Sequence, residues 1–375
     1  MLSWDVDDRW RHPWTVAYMK AMWARRDKEA FEGADHTIRQ AQELQRDGDA
    51  PPDRWTRLHS QIRAERRDQM LVWRVRPRRR RPVARVVYVH GGGYVHPLTS
   101  DYWRLVRALG RAPAEVVVPA YPLAPAATAD EVLPMLLELV DDGRDLPTVL
   151  MGDSAGGALV LVLARLARDR GIPVAGVVSL SPWLDATLHV RGEEVQTLEA
   201  TDPMLAESGL RAAGRAWSGE RPVDDPLISP VHLDLDGLPP VDLFIGDRDI
   251  LRPAVDELAQ RAGDADVEMC VHEVTSMFHV WMTRAIPEGW RTRQRLVGIV
   301  RDHSQKRRPA AGSATTRSTT RRSAPAARPS SASHEASRAD PLPMGIRSDT
   351  MRHVDAGSVI VSPRVVSSSM SRRLR

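Results

Sequence analysis

The chain has 375 residues, 42% of them hydrophobic, with 53 Lys and Arg against 49 Asp and Glu. That is enough for one large or two ordinary domains with a substantial core, and the absence of any run of eighteen or more apolar residues means that no membrane span is expected. The charge is uneven: residues 304–375 carry 14 basic and 4 acidic side chains, whereas residues 1–303 carry 39 and 45, a net of −6, so the body has no field that would attract nucleic acid.

The N-terminus, MLSWDVDDRWRHPW, lacks the basic start and apolar centre of a secretion signal. The lone Cys270 excludes an intrachain disulfide and fits a reducing cytoplasm. Residues 1–68 read as helical, and 14–26, 34–47 and 52–69 carry apolar residues at helical spacing. Then the period changes. MLVWRV and ARVVYVH are short β-rich runs, and the RPRRRRP between them reads as a solvated hairpin loop.

After this, strand and helix patterns alternate. AEVVVPA, TVLMG, VAGVVSL, VDLFIG and VEMCVHEV read as strands. SDYWRLVRALGR, ADEVLPMLLELVDDG, AGGALVLVLARLARDRG, LRPAVDELAQRAG and PEGWRTRQRLVGIVRDH read as helices. Apolar strands alternating with helices predict a mostly parallel sheet covered on both faces, with chemistry at the C-terminal strand ends. Residues 185–225 break the alternation and read as an excursion above the sheet. Residues 304–375 contain no aromatic residue and are dense in Ser, Arg, Ala and Pro. Such a segment cannot bury enough apolar area to offset its ordering entropy and reads as a disordered tail.

At the junction of one strand and one helix stands LMGDSAGGA. Gly152 and Gly156 flank Ser154 at the spacing G-x-S-x-G. A strand turning sharply into a helix leaves such a serine exposed beside free helix N–H groups, and only small neighbours let the chain pass so close to itself. VVYVHGGGY ends another strand with His90, Gly91, Gly92 and Gly93. Bare backbone N–H groups there can hold an oxyanion. VDLFIGDRDILRP places Asp247 and Asp249 just after a strand, either able to orient a histidine. His279, in TSMFHVWM, completes the chain order Ser…Asp…His with Asp249, and His272 and His303 are weaker candidates.

These motifs resemble the bacterial hormone-sensitive-lipase-like family of α/β-hydrolases. HGGGY, GDSAGG, GDRDIL and MFHVW carry the resemblance, joined by YPLAP, SPWLD, DPML and SPVHLDLDGLPPV over roughly residues 70–303. It implies an α/β-hydrolase catalytic domain at 69–303, with a helical cap built from 1–68 and 185–225. It implies Ser154 as nucleophile, His279 as general base and acid, and Asp249 as the acid that holds its tautomer. The N–H groups of Gly92, Gly93 and Ala155 would form the oxyanion hole. His90 and Gly91 would brace the glycine loop, and Gly152 and Gly156 the serine turn. Pro122 and Ala126 depart from the family's Arg and Glu, and Thr275-Ser276 replaces the frequent Pro-Gly before the histidine.

The expected activity is that of a serine carboxylesterase acting on small-molecule esters of short to medium acyl chains, with no metal or cofactor. Trp14, Met19, Met22, Trp23 and Trp217 are candidates to line the acyl pocket. A homodimer is compatible with the sequence. Deacetylation of a small metabolite or lactone opening would use the same residues. A non-catalytic small-molecule-binding protein of this fold is the competing reading of another class.

Overall fold

The computed structural model describes residues 1–142 and 145–306. Its short apolar runs form nine strands among these residues: β1 (Leu2–Asp7), β2 (Ser60–Arg67), β3 (Met70–Pro77), β4 (Ala84–Val89), β5 (Ala114–Ala120), β6 (Thr148–Asp153), β7 (Gly176–Leu180), β8 (Val241–Gly246) and β9 (Met269–Val274). They make one sheet in the order β1-β9-β8-β7-β6-β4-β5-β3-β2. Only the β2–β3 and β3–β5 pairs are antiparallel. Every residue of β4, β5, β6 and β7 is buried, which is why these runs show no polar alternation.

The helices are α1 (Pro13–Arg25), α2 (Ala34–Asp47), α3 (Arg54–His59), α4 (Tyr102–Leu109), α5 (Ala129–Asp141), α6 (Ala155–Asp169), α7 (Gly192–Glu199), α8 (Glu207–Ser218), α9 (Arg252–Gly263) and α10 (Pro287–Lys306). Because side chains alternate across a strand, β4 feeds two apolar layers. Val87 and Val89 pack with Leu133, Leu159 and Leu258 of α5, α6 and α9. Val86 and Tyr88 pack with Met22, Leu105 and Leu296 of α1, α4 and α10.

Two sequence expectations fail here. The N-terminal segment is not helical throughout. Leu2, Trp4 and Val6 alternate with polar residues, and this stretch pairs in parallel with β9, Leu2 opposite Met269. Helix α3 stops at His59 and the chain continues as β2. The RPRRRRP segment is not a hairpin loop either. β3 and β4 are not neighbours, because β5 lies between them, and the hairpin of this region joins β2 to β3. Sequence order suggested adjacency, but a parallel neighbour of β4 must arrive by a crossover.

The 185–225 excursion contains α7 and α8. Helix α2 packs against α8 so closely that a side chain at Gly209 would collide with the Phe31 carbonyl and the Thr37 hydroxyl. The two segments expected to form a cap therefore touch. Ser304–Lys306 continue α10, and the rest of the tail lies outside the described residues.

Candidate active site

The turn from β6 into α6 is tightly constrained. Ser154 has φ 53° and ψ −120°, a region that costs a residue with a side chain free energy. Its N–H donates to the Leu180 carbonyl at 2.8 Å, and its own carbonyl accepts from the Trp183 N–H at 3.0 Å. A side chain at Gly152 would collide with the Gly156 carbonyl, and one at Gly156 with the carbonyls of Val89 and His90. The two glycines of G-x-S-x-G are thus demanded by the close passage of β6, α6 and the end of β4. Ala155 is the first residue of α6.

The glycine loop after β4 lies against this turn. A Cβ at Gly91 would stand 2.9 Å from the Ser154 Cβ. Gly92 and Gly93 have φ of 104° and 62°, which favours glycine at both positions. Val95 and His96 donate their N–H groups to the Gly92 carbonyl, closing a tight turn. The buried His90 ring stacks on Tyr121 at 4.5 Å, and its Nδ1 lies 2.7 Å from the Gly91 carbonyl. The Tyr121 hydroxyl donates to the His90 carbonyl at 2.9 Å.

Sequence reasoning passed over Asp153. Its buried carboxylate accepts from the Tyr88 hydroxyl at 2.6 Å and from the Gly91 N–H at 3.1 Å, tying the glycine loop to the serine turn. Burial pushes its pKa up to about 6, against the hydrogen bond from Tyr88 and the nearby His279. The Gly91 N–H is thereby engaged, whereas Gly92 and Gly93 follow it in the loop. An Asp next to a serine elbow carries no spacing signal of its own. Only the return of β4 beside β6 reveals its partners.

His279 and Asp249 lie together at the C-terminal ends of β9 and β8. The imidazole Nδ1 lies 2.8 Å from Asp249 Oδ2, and both side chains are buried. The other oxygen of Asp249 accepts from the Leu251 N–H at 3.0 Å. Burial by itself would lower the His279 pKa. The Asp249 charge and hydrogen bond, with Asp202 and Asp153 behind them, more than offset this and hold it above the ordinary value. Ser276, three residues before the histidine, has φ 59°, in the left-handed region.

The weaker candidates separate from this pair. Asp247 is half-buried, with its pKa raised by that burial, and its Oδ1 has no hydrogen-bond partner. His272 and His303 both bind Asp242 through Nε2, at 2.7 and 2.8 Å. Asp242, Cys270 and His272 bring potential metal-ligating atoms within 4.8 Å of one another. This cluster lies near the first residues of β8 and β9, the opposite end of the strands from Ser154. Of the proposed pocket residues, Trp14 and Trp23 are exposed, and Met19 and Met22 are buried in the core. Trp217, on α8, stacks on Tyr94 at 4.6 Å, directly beside the glycine loop.

A largely parallel sheet, a strained serine at a strand–helix elbow, a glycine loop against it and a buried His–Asp pair define a hydrolase of the α/β-hydrolase class. Residues 86–283 match the alpha/beta hydrolase fold family, and the chain belongs to it, in the bacterial hormone-sensitive-lipase-like group. An acetyl-hydrolase of Streptomyces hygroscopicus is 34% identical over 219 residues, covering 55% of this chain and 71% of that protein. An esterase of Acinetobacter venetianus is 28% identical over 214 residues, covering 53% and 70%. The crystal structure of an esterase from the bacterial hormone-sensitive lipase family superposes with a TM-score of 0.64 at 25% identity, covering 78% of this chain and 99% of that one. No helix among the described residues is long and apolar enough to cross a membrane.

Proposed function

We propose that the chain hydrolyses esters of short to medium acyl chains through an acyl-enzyme on Ser154. The chain is a carboxylic ester hydrolase, in keeping with relatives named acetyl-hydrolase and esterase. The observation that carries the mechanism is the buried His279–Asp249 pair at 2.8 Å on the same strand ends as the strained Ser154. Ser154 Oγ attacks the ester carbonyl carbon while His279 Nε2 takes its proton. The negative oxygen that forms is held by the N–H groups of Gly92, Gly93 and Ala155. As the carbonyl re-forms, the alcohol departs with the proton from His279. Water, deprotonated in turn by His279, then attacks the acyl-Ser154, releasing the acid and restoring the serine. Asp249 fixes the imidazole tautomer and stabilises the imidazolium formed at each step.

Helix α2 and the 185–225 segment serve as a cap, a reading supported by the packing of α2 on α8, whereas β1 and β2 of the 1–68 segment belong to the sheet. Trp217 and Tyr94 place a stacked aromatic wall beside the oxyanion loop, which favours short acyl chains over long ones. The same residues would release acetate from an acetylated metabolite, in keeping with the acetyl-hydrolase relative. A p-nitrophenyl ester series from acetate to palmitate, run on wild type and Ser154→Ala, tests the assignment. Turnover of the short esters that vanishes in the variant supports it, and wild-type rates in the variant would overturn it. Inactivity of the wild type on every p-nitrophenyl ester, with activity on acetylated amines or lactones, would move the substrate class and leave the triad in place.

A further inference from the structure

We propose that Asp202, on the excursion between α7 and α8, is a positioning residue for catalysis: it ties the cap to the turn that carries Asp249 and supplies negative charge behind the His279–Asp249 pair. This rests on the triad reading above.

The geometry is that of one fully buried carboxylate receiving three backbone N–H groups. Oδ1 accepts from Met204 at 2.7 Å and Leu205 at 3.0 Å, where the chain enters the run into α8. Oδ2 accepts from Ile250 at 3.0 Å, the residue directly after Asp249. One side chain therefore fixes the cap segment and the acid-bearing turn relative to each other. Its chemistry suits the task. An ionised carboxylate only accepts, so all three donors are satisfied, whereas an amide would turn a donor of its own toward one of them. Without it, the N–H groups of Met204, Leu205 and Ile250 would lose their acceptor within a buried site.

The charge matters as well as the contacts. The ionisable groups facing Asp202 are Asp249 and His279, and those facing His279 are Asp249, Asp202 and Asp153. Burial, then the Asp249 charge, push the Asp202 pKa up to about 6, so it is anionic in neutral solution. In that state it adds to the field that favours the His279 imidazolium, the species that forms as Ser154 gives up its proton. A cap contact that merely held the fold would leave this titration untouched.

The test compares the pH profiles of kcat/KM for p-nitrophenyl acetate in wild type, Asp202→Asn and Asp202→Ser, each checked for folding by thermal melting. Removing the charge lowers the His279 pKa. The acid limb is expected to move to lower pH by roughly half a unit or more, and the plateau kcat to fall roughly 3- to 10-fold with KM nearly constant. Acid limbs that coincide with wild type overturn the proposal. So does loss of the folded state in both variants, because Asp202 would then be a folding requirement. Ser154→Ala separates the two readings. If it is inactive while the Asp202 profiles are unmoved, the role of Asp202 alone fails. If it retains wild-type activity, the triad fails and this inference with it.

Discussion

The two ends of β8 and β9 carry the same pair of functional groups to opposite effect. At the C-terminal end, His279 binds Asp249 at 2.8 Å. At the N-terminal end, His272 binds Asp242 at 2.7 Å, with His303 on the other carboxylate oxygen at 2.8 Å. Asp242 is held by two imidazoles, and although burial opposes it, their hydrogen bonds and charge pull its pKa down to about 2. It straps α10 to the sheet, and the other nitrogen of His272 faces the Cys270 thiol at 3.7 Å, with no serine elbow beside it. The His279 pair instead has one imidazole among three buried carboxylates, Asp249, Asp202 and Asp153, on the strand ends that carry a serine in a strained turn. A histidine–aspartate hydrogen bond is therefore not a site by itself. What stands around it, and whether a nucleophile and an oxyanion cradle share its end of the sheet, decide between catalyst and strap.

The sharpest way to break this comparison is to remove each histidine in turn. His279→Ala is expected to lower kcat on p-nitrophenyl acetate by roughly 10³-fold or more, with a melting temperature close to wild type. His272→Ala is expected to do the reverse. It should keep kcat within about twofold while losing roughly 1–3 kcal/mol of stability, because a buried hydrogen bond to a charged group is lost and a cavity opens beside Phe244. Chemical denaturation and steady-state kinetics on the two variants check both halves. If His272→Ala loses activity like His279→Ala with its stability intact, the distinction between the two ends collapses.

A smaller effect separates the ends by acid titration. Asp242 has a folded-state pKa below its unfolded value, so it contributes stability that is present above about pH 4 and is lost as pH falls toward about 2. The size is about 2 kcal/mol for a shift of this order. Urea melts of wild type and Asp242→Asn between pH 7 and pH 2 are expected to converge at the acid end. Curves that stay parallel throughout would show that the carboxylate's charge contributes nothing to the strap.

The chemistry was legible wherever it was local. The G-x-S-x-G elbow, the glycine triplet and the seven strand runs from MLVWRV onward depend on neighbours within a few residues, and a turn or a buried strand imposes its residue types at short range. The order of Ser154, Asp249 and His279 along the chain was legible for the same reason, since each follows a recognisable strand. The N-terminal strand and β2 were misread as helix. LSWDVD is short, and SQIRAERR sits directly behind a true helical turn, so only pairing with β9 and β3 settles their state. RPRRRRP was misread because strand adjacency is a property of the sheet and not of the sequence.

What the sequence by itself determined, then, was the seven strands from residue 70 onward and five of the helices between them, the serine elbow and the kind of loop placed against it, all products of short-range sterics and apolar patterning. Tertiary structure alone decided that His272 and His303 share Asp242, that Asp153 clamps the glycine loop, and that Asp202 reaches from the cap to the turn beside Asp249. Those contacts join residues 48 to 62 positions apart in the cases of Asp202–Ile250 and Gly91–Asp153. No local pattern encodes such partners; burial in one core brings them together, and a buried charge must then find whatever donors the fold has placed beside it.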